Sequence, residues 1–134
     1  MHEKWLIPCN IKFFNLIEHF EHHDEVVWKA YKGFSVGDLA YIYIGVPFKK
    51  VMYMCKVVDK DVAPEVLEEN QYAVRTKRIS YNSRYVKLKL IKKFSDERLS
   101  LEALKENGLG QVQMIARVCQ ELEYYLDTID GGDI

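Results

Sequence analysis

The apolar positions of this chain fall into two rhythms, one of period two and one of helical period. The clearest period-two run is VGDLAYIYIG, residues 36–45. After the turn pair Gly37–Asp38, six uncharged residues run to Ile44 and stop at Gly45. On a strand, Leu39, Tyr41 and Tyr43 share one face and Ala40, Ile42 and Ile44 the other. A half-buried strand alternates apolar with polar; this one does not, so it is expected to be covered on both sides. In VMYMCKVVDKDV, residues 51–62, Val51, Tyr53, Cys55 and Val57 alternate with Met52, Met54, Lys56 and Val58. The turn signals of GVPFKK separate the two runs and predict an antiparallel hairpin.

The same reading predicts strands over 4–9, 38–44, 50–59 and 84–93. It leaves room for extra strands near 26–29 and 73–80. Phe13, Phe14, Ile17 and Phe20 stand at helical spacing and predict a helix over 13–23. Ser100 as N-cap and Gly108 as stop predict a short helix over 100–107, and ARVCQELEYYLDTI a last amphipathic one over 117–128. Strands outnumber helices and adjoin one another in sequence. The class expected is α+β, an antiparallel or mixed sheet curled into a barrel with helices outside. Residues 1–130 are expected to form one domain, with 131–134 a flexible tail.

Composition adds few constraints. Hydrophobic residues make up 49% and charged residues 29% of the 134, as in ordinary globular proteins. No apolar run reaches membrane-spanning length, and the opening MHEKWLIPC lacks a signal-peptide layout, so a cytoplasmic location is expected. Cys9, Cys55 and Cys119 are odd in number and widely spaced, which suits reduced thiols.

Charge is more telling in distribution than in sum. The net charge is −1, yet Arg75, Lys77, Arg78, Arg84, Lys87, Lys89, Lys92 and Lys93 lie in a stretch without an acid. From Asp96 onward acids predominate. A two-sided molecule follows, with one face positive enough for a phosphate backbone. Lys87 and Lys89 also fit the plain solvent face of a strand whose inner face is Val86, Leu88 and Leu90.

Candidate chemistry is sparse. His19 and His23 stand at i, i+4 beside His22, a spacing that could hold zinc with Asp24 or Glu25, but no HExxH order or nearby cysteine supports it. The expectation is no metal and no cofactor. Cys9 and Cys55 fall in strands without a nucleophile turn, and no glycine-rich phosphate loop occurs. The nine tyrosines and two tryptophans, beside a basic segment, are what an unstacked base needs, although each alone fits a core as well.

WLIPCN, Trp28, VGDLAYIYIG and VMYMCKV together resemble the EVE domain of the PUA-like superfamily. The likeness extends through RYVKLKLIKKF, SLEALKENG and VQMIARVCQELEYYL and covers about residues 4–126, loosely over 62–80. It is closest to EVE-like modules found alone or beside HNH nucleases. It implies a PUA-like barrel whose mouth binds nucleic acid and takes a flipped or modified base. Carried over by motif, the base site would comprise Cys9, Asn10, Trp28 and Tyr43, with Lys29 and Arg117 on flanking phosphates. Independently of the likeness, Arg75, Lys77 and Arg78 of the basic segment would add phosphate contacts. The family's YHS reads here Tyr43-Ile44-Gly45, its Ser-Glu pair Cys9-Asn10, and its RLS Arg117-Val118-Cys119. Asn10 also suits a helix cap near Ile11, and Tyr43 a barrel plug.

The leading reading is a non-catalytic nucleic-acid binder, DNA or RNA. A PUA-like nuclease or other hydrolase using His19, His23 or Cys9 is the second. A protein-interaction domain using the acidic C-terminal helix is the third.

Overall fold

The computed structural model describes residues 3–29, 33–62 and 85–130. It contains a six-stranded mixed sheet and three helices. The strands are β1 (Lys4–Cys9), β2 (Glu25–Lys29), β3 (Leu39–Ile44), β4 (Lys50–Val62), β5 (Tyr85–Lys93) and β6 (Ala116–Arg117). The helices are α1 (Leu16–His22), α2 (Leu101–Glu106) and α3 (Gln120–Asp130), with a 3-10 turn at Glu97–Leu99. The hydrogen-bonded order is β2-β5-β4-β3-β1-β6. The pairings between these strands are antiparallel except that of β1 with β3, whose connection passes through α1 and β2. Among the described residues no ladder joins β2 to β6, so each carries an unpaired edge.

The two apolar faces of β3 have the predicted use. Ala40, Ile42 and Ile44 are fully buried with Ile7, Cys55 and Leu88 in an inner core that α1 closes with Leu16 and Phe20. That core draws residues from β1 through β5 and Ile115 beside β6, as a curled sheet requires. Tyr41 and Tyr43 face the other way, into an outer core with Leu104 of α2 and Leu122 and Leu126 of α3. No helix among the described residues is long and apolar enough to cross a membrane.

Four local departures from expectation have physical causes. In β4, Ile42 pairs with Tyr53 but Tyr43 with Val51, so Met52 is an inserted bulge residue. It turns Val51 into the outer core, while Tyr53, Cys55 and Val57 stay in the inner one. The first helix begins at Leu16, not at residue 13, because Asn15 is its N-cap, accepting from the Glu18 amide at 3.2 Å. Asn10 caps no helix: its Oδ1 accepts from the Lys12 amide at 2.9 Å and its carbonyl from Phe13 and Phe14, which makes a side-chain-closed turn. Arg117 belongs to β6 rather than to the last helix, because Trp5 pairs with it across the sheet.

The second helix matches expectation. Ser100 Oγ accepts from the Ala103 amide at 3.2 Å. Gly108 follows in the left-handed region (φ +108°), where an added Cβ would sit 3.1 Å from Glu121 Cβ and 3.2 Å from Cys119 Sγ. That tight spot lets α2 end against the start of α3.

Candidate functional site

Among the described residues β2 is an edge, and its alternation turns Val26 and Trp28 inward while Lys29 faces solvent. Val26 is buried, but Trp28 is left half-buried against the inner core. Its indole meets Phe14 edge-on, with centroids 6.0 Å apart and planes at 63°. Phe14 is held there by the Asn10 turn that ends β1. The Cys9 thiol donates to the Phe14 carbonyl at 3.7 Å, a weak bond. Phe14 thus links Cys9 and Trp28, two residues far apart in sequence. Asn10 itself is exposed.

A second arrangement lies toward the other end of β1. Trp5 donates its indole N–H to Asp38 Oδ2 at 2.9 Å. The same carboxylate accepts from the backbone amides of Ser35 at 2.9 Å and Glu3 at 3.0 Å. Asp38 is the buried charged residue of the described core, at 1% exposure. A carboxylate can be buried when its lone pairs are met by donors. Arg117, opposite Trp5 in the β1–β6 ladder, lays its guanidinium 5.3 Å above the Trp5 ring. Gly33 (φ +108°) completes the corner: a Cβ there would lie 3.1 Å from the Trp5 ring and 3.5 Å from Arg117 Nη2. The two edge strands therefore carry an exposed cation each, Lys29 on β2 and Arg117 on β6.

Tyr43 does not join Trp28. Strand alternation sends it to the outer face, where it is 5% exposed among Val51, Leu104 and Leu122, and burial raises its phenol pKa. The structure thus brings together Cys9 and Trp28, with Lys29 next in sequence. It places Asn10 on the turn outside, Arg117 on the other edge strand and Tyr43 beneath the helices. Arg75, Lys77 and Arg78 lie outside the described residues. Phe14, Trp5, Asp38 and Gly33 are the members that sequence reading did not single out. The one signal for Phe14 was the pair of asparagines, Asn10 and Asn15, either of which could close a turn or a cap.

Reactive groups are held quiet. Burial pushes the thiols of Cys9 and Cys55 up to about 12, so neither supplies a thiolate near neutral pH. Burial also pushes the Tyr53 phenol up to about 12, helped by Glu21. The His19 ring nitrogen Nε2 donates to the Glu25 carbonyl at 2.7 Å. Burial lowers the His19 pKa, the Glu25 hydrogen bond opposes this, and the His23 ring, centred 4.8 Å away, lowers it further. The metal-ligand types that converge among the described residues are Glu18, Glu21 and His22, within 4.8 Å on the solvent side of α1. Glu18 and His22 there form an i, i+4 contact of 3.3 Å, an ordinary helix-surface pair.

No protein-family model matches the chain, and no curated protein does. Solved structures do match. One is a mutant form of an ASCH protein from Zymomonas mobilis, 13% identical, TM-score 0.64, covering 96% of each chain. Another is a hypothetical protein from Leishmania major, 17% identical, TM-score 0.64, covering 99% of this chain and 97% of that one. A third is human THYN1 in complex with DNA containing 5-methylcytosine, 13% identical, TM-score 0.63, covering 96% and 97%. The fold is shared with these proteins over nearly the whole chain, and it is the PUA-like α+β type.

Proposed function

We propose that this protein is a non-catalytic, EVE-like nucleic-acid-binding module that holds an unstacked base against Trp28. The observation that carries the reading is Trp28 itself. A large aromatic on the inner face of β2, which pairs among the described residues with β5 alone, is left half-buried, with exposed Lys29 beside it and Arg117 on β6 at the other end of the strand order. An aromatic face stacks a base and cations hold its flanking phosphates. The likeness to a fold solved with 5-methylcytosine DNA supports nucleic acid as the ligand and a modified base as a candidate. Asn10, which offers donor and acceptor, reads a base edge at the rim, and Arg75, Lys77 and Arg78 add phosphate contacts. Tyr43 serves by supporting the sheet from its outer side.

The non-catalytic part rests on the quiet groups: two thiols that stay protonated, and a His19 engaged with a carbonyl. The test uses the fluorescence of the two tryptophans, Trp5 being buried and Trp28 half-buried. Titration with oligonucleotides carrying cytosine or 5-methylcytosine should quench the Trp28 emission. Absence of quenching and of any mobility shift at low salt, for DNA and RNA alike, would falsify the reading.

A further inference from the structure

Among the described residues, half of the outer face of the sheet has no helix on it. Helix α3 covers β1 and β3, where Leu6 and Tyr41 meet Leu122 and Leu126. This helix has Glu121, Glu123 and Asp127 and no basic residue. The neighbouring strands β4, β5 and β2 turn Lys56, Lys89 and Lys29 to the same side, because Cys55, Leu88 and Trp28 alternate inward. Lys56 and Lys89 stand directly opposite each other in the β4–β5 ladder. Like charges in that position repel and destabilise the pair. The acids of this face relieve it only in part. Glu25, opposite Lys89 on β2, reaches Lys87 at 4.0 Å, and Asp59 also pairs in register with Lys87. Among the described residues no ion pair uses Lys29, Lys56 or Lys89, and all three are exposed.

The geometry points to a second nucleic-acid contact, a phosphate track formed by Lys56, Lys89 and Lys29 on the outer face of β4, β5 and β2. It rests on the proposed base-binding function and extends it. The base contact lies on the inner face of β2 and the track on the outer one, so the bound strand passes over the edge of β2 that no described strand pairs with, with Lys29 at the crossing. The part of the Lys56–Lys89 repulsion that Glu25 leaves is relieved by a polyanion, and the acidic α3 beside it bounds the track on one side. The ligand must then be long enough to extend beyond the stacked base, and a single nucleotide would engage only half of the surface.

The experiment compares wild type, Trp28→Ala and the double variant Lys56→Gln/Lys89→Gln. Binding of an oligonucleotide of about 20 residues is followed as a function of salt. Each lost phosphate contact lowers the slope of log K against log salt by about 0.7 on a single strand and about 0.9 on a duplex. The double variant should therefore lose between about 1.4 and 1.8 of slope. It should keep the wild-type preference between modified and plain bases, and should melt higher than wild type at low salt without ligand. Trp28→Ala should lose affinity with its slope intact. If wild type binds no oligonucleotide, the base-binding reading falls and this one with it. If wild type binds and the double variant keeps the full slope, only the track is overturned. Loss in the double variant of binding to anionic lipid vesicles, with oligonucleotide slopes unchanged, would assign the face to a membrane surface and also overturn it.

Discussion

The indole N–H of Trp5 lies 2.9 Å from a carboxylate oxygen of Asp38, and both residues are about 1% exposed. The bond joins the start of β1 to the turn before β3 and fixes the ring on which Arg117 rests. It makes Asp38 a structural acid rather than a chemical one.

Replacing Asp38 with Ala leaves the Trp5 indole and the Ser35 and Glu3 amides without this acceptor. A buried donor left unsatisfied costs about 1–3 kcal/mol. The expected total is about 3 kcal/mol or more, seen as a fall of roughly 10 °C in a thermal melt followed by circular dichroism. An unchanged melting temperature would show that water reaches the corner and replaces the carboxylate.

Tyr43→Ala and Trp28→Ala should separate folding from binding. Tyr43 fills the outer core, and deleting a buried ring costs about 3–5 kcal/mol. Trp28 is half-buried at an edge, so its loss should spare most of the stability and remove about 1–3 kcal/mol of base stacking. Urea denaturation and oligonucleotide titration on both variants check this. The reverse pattern, with Tyr43→Ala folded but unable to bind, would move the base to the outer face.

Acid should destabilise the fold through His19. Its folded pKa lies below the ordinary 6.5, so the unfolded chain takes up the proton first. Stability is full above about 6.5, begins to fall as the pH drops past that value, and goes on falling until the lowered folded pKa is reached. His19→Gln, which can still donate to the Glu25 carbonyl, should flatten that part of a stability–pH curve. An equal slope in wild type and variant would mean other groups govern it.

Alkylation at pH 8 should modify Cys119 rapidly and spare Cys9 and Cys55. Cys119 is exposed, whereas the other two are buried with thiols raised to about 12. Mass spectrometry should show one adduct in the folded protein and three in denaturant. Rapid labelling of Cys9 in the folded state would reopen the reading of Cys9 as a nucleophile.

Much of the sheet could be read in advance because strand alternation is local. Leu39 to Ile44 declared two covered faces, and Val86, Leu88 and Leu90 declared one, as found. What escaped depends on partners distant in sequence. Val51 looked like a neighbour of Tyr53 until the bulge at Met52 set it on the other side. Arg117 looked helical because two residues carry no readable period, and only the ladder to Trp5 makes them a strand. The candidate site was legible in its members more than in its arrangement. The sequence points to Cys9, Trp28 and Lys29, while the helical spacing of Phe14, which links the first two, points only to a helix core. The motif sets Tyr43 with Trp28 because it orders residues along a chain and says nothing about the side of the sheet on which each emerges.

The place of β1 in the sheet has a bearing on how the chain is made. Of the six strands, the earliest to leave the ribosome sits between β3 and β6, two strands translated later, the second of them near the end of the described residues. Until β3 exists β1 has no neighbour in the sheet, and until β6 exists one side of its backbone stays open to any strand it meets. Completion of the fold is therefore tied to late synthesis, and contacts of such long sequence range slow the search for them. A nascent or truncated chain that stops before Ala116 would present Trp5 and Leu6 as a free template, which makes aggregation, rather than a smaller folded domain, the outcome of an early stop.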